Sequence, residues 1–248
     1  MTGLFLAGGG GGGPVIPNFG GGTSKCVIDN GRFCWDWFTQ NWSGTFEPAL
    51  IQHIELTVIA VGIGFAISFL LAIAAHRARW LAPPVTFLGS LLYTIPSLAF
   101  FEIMVSITGI NWFTVEIALV SYTLLILFTN TLAGLSGVSS EVLDAAHGMG
   151  MKPAQVLWKV ELPLALPTII AGLRVAVVTV VSLATVAAYI VPAGLGKPIF
   201  DAIGSGLFNT KFIAAGVLCV ALALVGDGLF AGLQRVLTPW AAARRGAA

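Results

Sequence analysis

Charge is what this chain has least of. Only 9% of its 248 residues are charged and 57% are hydrophobic, whereas a soluble domain carries about 25% charged residues. That scarcity excludes an ordinary soluble domain. A net charge of +1 excludes the basic field that a nucleic-acid binder needs. Histidine is rare too: His53, His76 and His147 stand far apart, and no cluster of His and Cys completes a metal site. His53 reads as an interfacial residue rather than a ligand. No Gly-rich loop ends in Lys-Ser or Lys-Thr. The run Gly8 to Gly13 lacks that ending and any preceding strand, so it reads as a low-complexity stretch and not as a phosphate loop. No Ser/His/Asp or paired-carboxylate constellation is present, so neither a catalytic residue nor a bound cofactor is expected. The opening MTGLFLAGG has no basic flank and no long apolar core, and is not read as a signal peptide.

Long apolar runs are what the chain does have. Five are each long enough to cross a bilayer as helices: Leu56–Ala75, Val85–Ile107, Val115–Leu135, Thr168–Val191 and Phe212–Val236. The fold class expected is therefore all-α, a polytopic membrane protein. Residues 1–47 form a Gly-rich and aromatic arm, residues 48–240 the membrane domain, and residues 241–248 a tail. In the arm, Phe33 to Phe38 and Trp42 suit either an interfacial belt or a packed lid. Cys26 and Cys34 are open to a disulfide if the arm lies outside the cytoplasm; two unrelated free thiols are the alternative. Cys219 lies in an apolar run and reads as packing. Glu47 to Glu55 reads as a short surface helix before the first span.

Lys and Arg give the orientation. With the N-terminus outside, one face receives Arg77, Arg79, Lys152, Lys159, Arg174, Arg235, Arg244 and Arg245, and the other Lys25, Arg32, Lys197 and Lys211. Eight against four makes the first face cytoplasmic. That places Ser139 to Pro167 in the cytoplasm, the longest stretch after the arm that is not simply apolar. It reads as helix, turn and helix. Ser139 or Ser140 suits the N-cap, with Glu141 and Asp144 in the first turn. Ala145, Ala146, Gly148 and Gly150 make a small-residue surface open to close approach by another protein. Gly150-Met151 followed by Lys152-Pro153 ends one helix and starts the next. Leu162-Pro163 and Pro167 close the unit before the membrane is re-entered.

Asp144-Ala145-Ala146, then Gly150, then Val160 and Leu162-Pro163, resembles the cytoplasmic loop of permease subunits of binding-protein-dependent ABC importers. That family has Glu-Ala-Ala, three residues, Gly, nine residues, Ile, one residue, Leu-Pro; Asp144 and Val160 are conservative departures. The resemblance implies a five-helix type I ABC importer permease core with a cytoplasmic coupling helix. Glu141, Asp144, Ala145, Ala146, Gly148, Gly150, Leu162 and Pro163 would contact the ATPase. It also implies a second permease subunit, identical or paralogous, two ATPase subunits that carry ATP and Mg, an extracytoplasmic substrate-binding protein, and an inner-membrane location. This chain itself would be no enzyme and would bind no nucleic acid.

Tyr93-Thr94-Ile95-Pro96-Ser97-Leu98-Ala99 interrupts the second span. Pro96 removes a helix hydrogen bond, and Thr94 and Ser97 are placed to satisfy the freed backbone. A broken helix near mid-membrane suits a translocation path, and a packing kink is the alternative. The stretch resembles Thr-Ile-Pro-Ser-Leu-Ala of the osmoprotectant branch, importers of glycine betaine, carnitine or choline. Thr129-Asn130-Thr131 with Gly134-Leu135, and Gly194-Leu195-Gly196, resemble the same branch, although Thr129 replaces an Arg and Pro192, Lys197 and Pro198 depart from it. Tyr93, Thr94, Pro96, Ser97 and Asn130 are the candidates for the path or gate. Glu102 and Glu116 are candidates for attracting a cationic head group at the outer mouth; hydrated carboxylates, or pairing with Lys197 or Lys211, are the alternative. Asp227, between Gly226 and Gly228, is expected to hydrogen-bond a neighbouring helix. A permease for amino acids, methionine or another small solute remains open, as do an ion-coupled secondary transporter and a channel.

Overall fold

The computed structural model describes residues 24–240, and every described element is helical. The Gly8 to Gly13 run and the tail 241–248, with Arg244 and Arg245, lie outside the described residues.

Four helices carry the bundle: α3 (Glu47–Arg77), α6 (Trp112–Ser136), α9 (Leu162–Ala187) and α11 (Asn209–Leu237). Each is long and apolar enough to cross a membrane. The fifth apolar run is not one rod. It is α4 (Ala82–Thr94) and α5 (Ser97–Thr108), bent by 97° at the break. Pro96 cannot continue the helix, and the residue before it is driven to extended backbone; Ile95 sits at ψ 129°. Thr94 Oγ1 donates back to the Ser90 carbonyl at 2.7 Å, within its own helix. The freed Ile95 carbonyl accepts from the Tyr122 hydroxyl at 2.6 Å. Thr94 and Ser97 are the pair that the sequence offers for the freed backbone; the partner of the Ile95 carbonyl comes from α6 instead.

Helix α6 lies at the centre, packed against α3, α9 and the broken pair. Leu56, Ala60, Phe100, Leu119, Tyr122 and Val180 form the main core there. Helix α11 packs mainly along α9. One full-length helix replaces the surface helix expected at Glu47 to Glu55. Pro48 falls in the first turn of α3, where its missing N–H is harmless, and no breaker follows before Ala78.

The interval between α6 and α9 holds α7 (Ser140–Gly148) and α8 (Pro153–Val156), then a π-helical turn, Leu157–Glu161, that runs directly into α9. Pro163 and Pro167 therefore do not close the unit. Pro163 occupies the first turn of α9, and Pro167 lies inside it. The wide π turn absorbs the hydrogen bond that Pro163 cannot donate, and the Pro167 carbonyl accepts from Gln234 Nε2 at 3.1 Å. Helix is continuous from Pro153 to Ala187.

The described part of the arm is folded: α1 (Lys25–Ile28), α2 (Trp35–Gln40) and a π-helical turn, Trp42–Phe46. Cys26 and Cys34 are joined by a disulfide. Trp37 packs edge-on against Phe208, centroids 4.7 Å apart, between α10 (Gly196–Gly204) and α11. The Cys34 N–H donates to Thr210 Oγ1 at 2.8 Å, and Asn209 donates from its backbone N–H and Nδ2 to the Oδ1 and carbonyl of Asn30. The arm is thus pinned to the end of the bundle opposite α7.

Candidate functional site

Two ends and one face of the bundle carry the candidate residues. At the loop end, α7 projects with most of its surface unpaired. Glu141, Asp144, Ala145, Gly148 and Gly150 are exposed. Ala146 is not. It is 2% exposed and packed into its own chain, so it belongs to the support of the helix and not to the presented surface. The sequence could not separate Ala145 from Ala146, because which side of α7 lies on the bundle depends on α8.

Gly150 has a local duty. Its φ of +77° is left-handed, its N–H donates to the His147 carbonyl at 2.8 Å, and the Met151 N–H donates to the Ala146 carbonyl at 3.2 Å. This pair of bonds closes the helix with glycine at the position that a side chain would strain. Ser139 takes the N-cap position without a capping bond from its hydroxyl. That hydroxyl serves the Glu141 carboxylate. The Glu141 carboxyl is held below its usual range, first by its own backbone N–H and then by Ser139. Leu162 and Pro163 start α9 behind the loop, half-buried. His76 Nε2, at 3.1 Å from Glu161 Oε1, ties the loop end of α3 to the π turn, so the rod carrying α8 is braced against the bundle.

The path candidates are not gathered in one place. Tyr93, Thr94, Pro96 and Ser97 sit at the α4–α5 break, where Tyr93 meets Tyr122 edge-on at 6.0 Å. Asn130 lies eight residues farther along α6 than Tyr122, roughly 12 Å of helix. Its Nδ2 donates to the Ile126 carbonyl at 2.8 Å, and its side chain fills the space left by Gly172 of α9.

At the arm end, Gln52, Glu55, Trp112, Lys197, Asp201 and Lys211 line a polar recess of about 550 Å³. Glu102 is exposed on α5. Glu116 differs from the hydrated or paired carboxylate considered from sequence. It is 5% exposed, and neither oxygen has a partner among the described residues. Lys211 pairs with Asp201 at 3.2 Å instead.

His53 was missed as a structural centre. Fully buried, it places Nε2 3.1 Å from the Val181 carbonyl, while Nδ1 accepts from the Leu195 N–H at 3.1 Å. With both ring nitrogens so engaged, Nε2 carries the proton. Gly194, at φ +57°, leaves no room for a Cβ beside that ring, and its N–H donates to Gln52 Oε1 at 2.8 Å. The Gly-Leu-Gly signature is therefore the clamp that holds the α9–α10 turn on α3.

Between α9 and α11, Arg174 donates from Nε and Nη2 to both oxygens of Asp227, at 2.7 and 2.8 Å. Asp227 does bond a neighbouring helix, but its partner is a full charge.

Comparisons with known proteins agree with this arrangement. The family described as the binding-protein-dependent transport system inner membrane component matches residues 49–239. The choline transport system permease protein OpuBB of Bacillus subtilis (strain 168) is 34% identical over 203 residues, covering 82% of this chain and 93% of the relative. The glycine betaine/carnitine/choline transport system permease protein OpuCB of the same organism is 32% identical over 203 residues, covering 82% and 93%. Among solved structures, the inward-facing methionine ABC transporter MetNI superposes with a TM-score of 0.69 over 77% of this chain and 95% of that one. At 18% identity that likeness conveys the fold alone.

Proposed function

The chain belongs to the binding-protein-dependent transport system inner membrane components, and from that premise we propose that it is the pathway subunit of an ATP-driven importer for quaternary ammonium osmoprotectants. The substrate class rests on the names of the relatives, which specify choline, glycine betaine and carnitine. Two permease subunits enclose the pathway. An external binding protein delivers the solute, and separate ATPase subunits hold ATP and Mg. The loop end faces the cytoplasm and the arm end faces outward.

One observation carries the coupling role: α7 stands clear of the bundle, exposes Asp144, Ala145 and Gly148, and sits on a braced continuous rod. An ATPase groove that grips α7 moves α8, the π turn and α9 as one lever. ATP binding closes the ATPase pair and favours one of two arrangements of the bundle, and hydrolysis releases it. The α4–α5 break and Asn130 line the route. Glu102 is the carboxylate available for head-group attraction in this conformation. Glu116 can serve only after the mouth opens, because it is buried here.

The test is purification followed by transport. The chain should bring an ATPase subunit with it. Proteoliposomes holding that complex should accumulate glycine betaine or choline only with the binding protein outside and ATP inside. Flux that ignores ATP would mean a channel, and flux that follows an ion gradient would mean a secondary transporter.

A further inference from the structure

The Arg174–Asp227 pair is out of place for a membrane helix. Arg174 lies 12 residues into α9 and Asp227 10 residues before the end of α11. The first turns of α9 belong to the loop end, so depth is counted within the apolar runs: Arg174 stands 6 residues inside Thr168–Val191 and Asp227 9 residues inside Phe212–Val236, roughly 9 and 14 Å. Yet each side chain is 35% exposed. Facing hydrocarbon, such a pair is costly, and charged groups in spans turn toward a protein interior or water instead. The pair borders a cleft of about 380 Å³ whose other walls are Ala171, Val175, Val178 and Thr179, a volume in the range of small-molecule sites.

The unused valences decide what such a cleft would hold. Of the five N–H donors of a guanidinium, Asp227 takes two. The remaining three have no bond to the described residues. The Asp227 oxygens keep lone pairs free as well. A ligand with a carboxylate and a cation a few bonds apart would lie against this pair head to tail, its carboxylate on Arg174 and its cation on Asp227. Every charge then has an opposite neighbour, and the methyl groups of a quaternary nitrogen meet Ala171, Val175 and Val178. Among the described residues no aromatic side chain lines the cleft, so it would hold such a ligand weakly and release it.

We propose that Arg174 and Asp227 form a zwitterion-binding station in the membrane part of the pathway, Asp227 taking the quaternary ammonium group that these solutes share and Arg174 the carboxylate of those that carry one. This rests on the osmoprotectant reading and narrows it. In the alternative, the pair only staples α11 to α9, and its loss would then affect every solute equally.

The test uses the reconstituted transporter with its ATPase and binding protein, supplied with glycine betaine (a zwitterion) or choline (a cation without carboxylate). Arg174→Gln should lower glycine betaine uptake roughly tenfold or more, the scale of a lost charge-assisted bond, and lower choline uptake less than about twofold. Asp227→Asn should lower both. Parallel losses in both variants, or no loss, would overturn the proposal while leaving the osmoprotectant reading standing. Import of neither compound by the unaltered transporter would overturn that reading, and the station with it. A second measurement leaves the pair intact. Val178→Cys should react with a water-soluble thiol reagent in the assembled transporter, and saturating glycine betaine should slow that reaction. A residue that does not react, or reacts at a rate indifferent to the solute, contradicts a wetted binding cleft.

Discussion

His53 ties α3 to α9 and to the turn that follows it. In the fold it is buried and bonds two separate chain segments through Val181 and Leu195. Nothing local in the sequence foretells this, because the partners lie 128 and 142 residues away. His53→Leu would leave the Leu195 N–H and the Val181 carbonyl buried and unmet. It should cost about 2 to 4 kcal/mol, read as a lower Tm in detergent, with His53→Gln recovering part of the loss. Glu116 predicts the opposite sign. A buried carboxylate without partners is a cost to the fold, so Glu116→Gln should keep or raise the Tm. If Glu116 meets a head group when the mouth opens, the same variant should lower uptake while that stability holds. Arg174 and Asp227 were each visible as charges in apolar runs, but their pairing across 53 residues was not.

At the scale of elements, the apolar runs were plain in the sequence because hydropathy is additive over a window. Helix breaks were read less well, because the effect of a proline depends on what the neighbouring helices offer the backbone around it. At Pro96 the helix turned by 97°, and the Tyr122 hydroxyl donates to the Ile95 carbonyl at the break. At Pro163 a π turn leads into α9, and beside Pro167 Gln234 donates to the Pro167 carbonyl, and the helix continues. Tyr122→Phe should therefore destabilise the α4–α5 corner by about 1 to 3 kcal/mol, measured as faster hydrogen exchange on α5 with little change on α11. The loop between α6 and α9 was legible as helix, turn and helix, yet the side on which Ala146 lies was not. Gly150→Ala forces a side chain into the left-handed region at φ +77°. It should cost about 1 to 2 kcal/mol and loosen the end of α7, whereas Gly150→Asn, which tolerates that region better, should cost less.

At the scale of the whole molecule, the disulfide and the charge bias bear on the same question of sidedness. A bond between Cys26 and Cys34 belongs to an oxidising compartment, and the Lys and Arg count leads to the expectation of an outer arm. In a Cys34→Ser variant, Cys26 should be labelled in intact cells by a thiol reagent that does not cross membranes; labelling only after lysis would reverse the orientation. Loss of this short cross-link should also loosen the arm by about 2 to 3 kcal/mol. The account as a whole stands on α7 as the joint between ATPase and pathway. Gly148 isolates that claim, because it is exposed and a Cβ built there meets nothing within 4 Å among the described residues beyond its chain neighbours and the backbone of its own helix. Ala146, being buried, would confuse docking with folding. The direct measurement is therefore ATPase co-purification and ATP-driven uptake for Gly148→Arg, with its Tm recorded alongside. The account predicts loss of both at an unchanged Tm; full association and full uptake in that variant would contradict it.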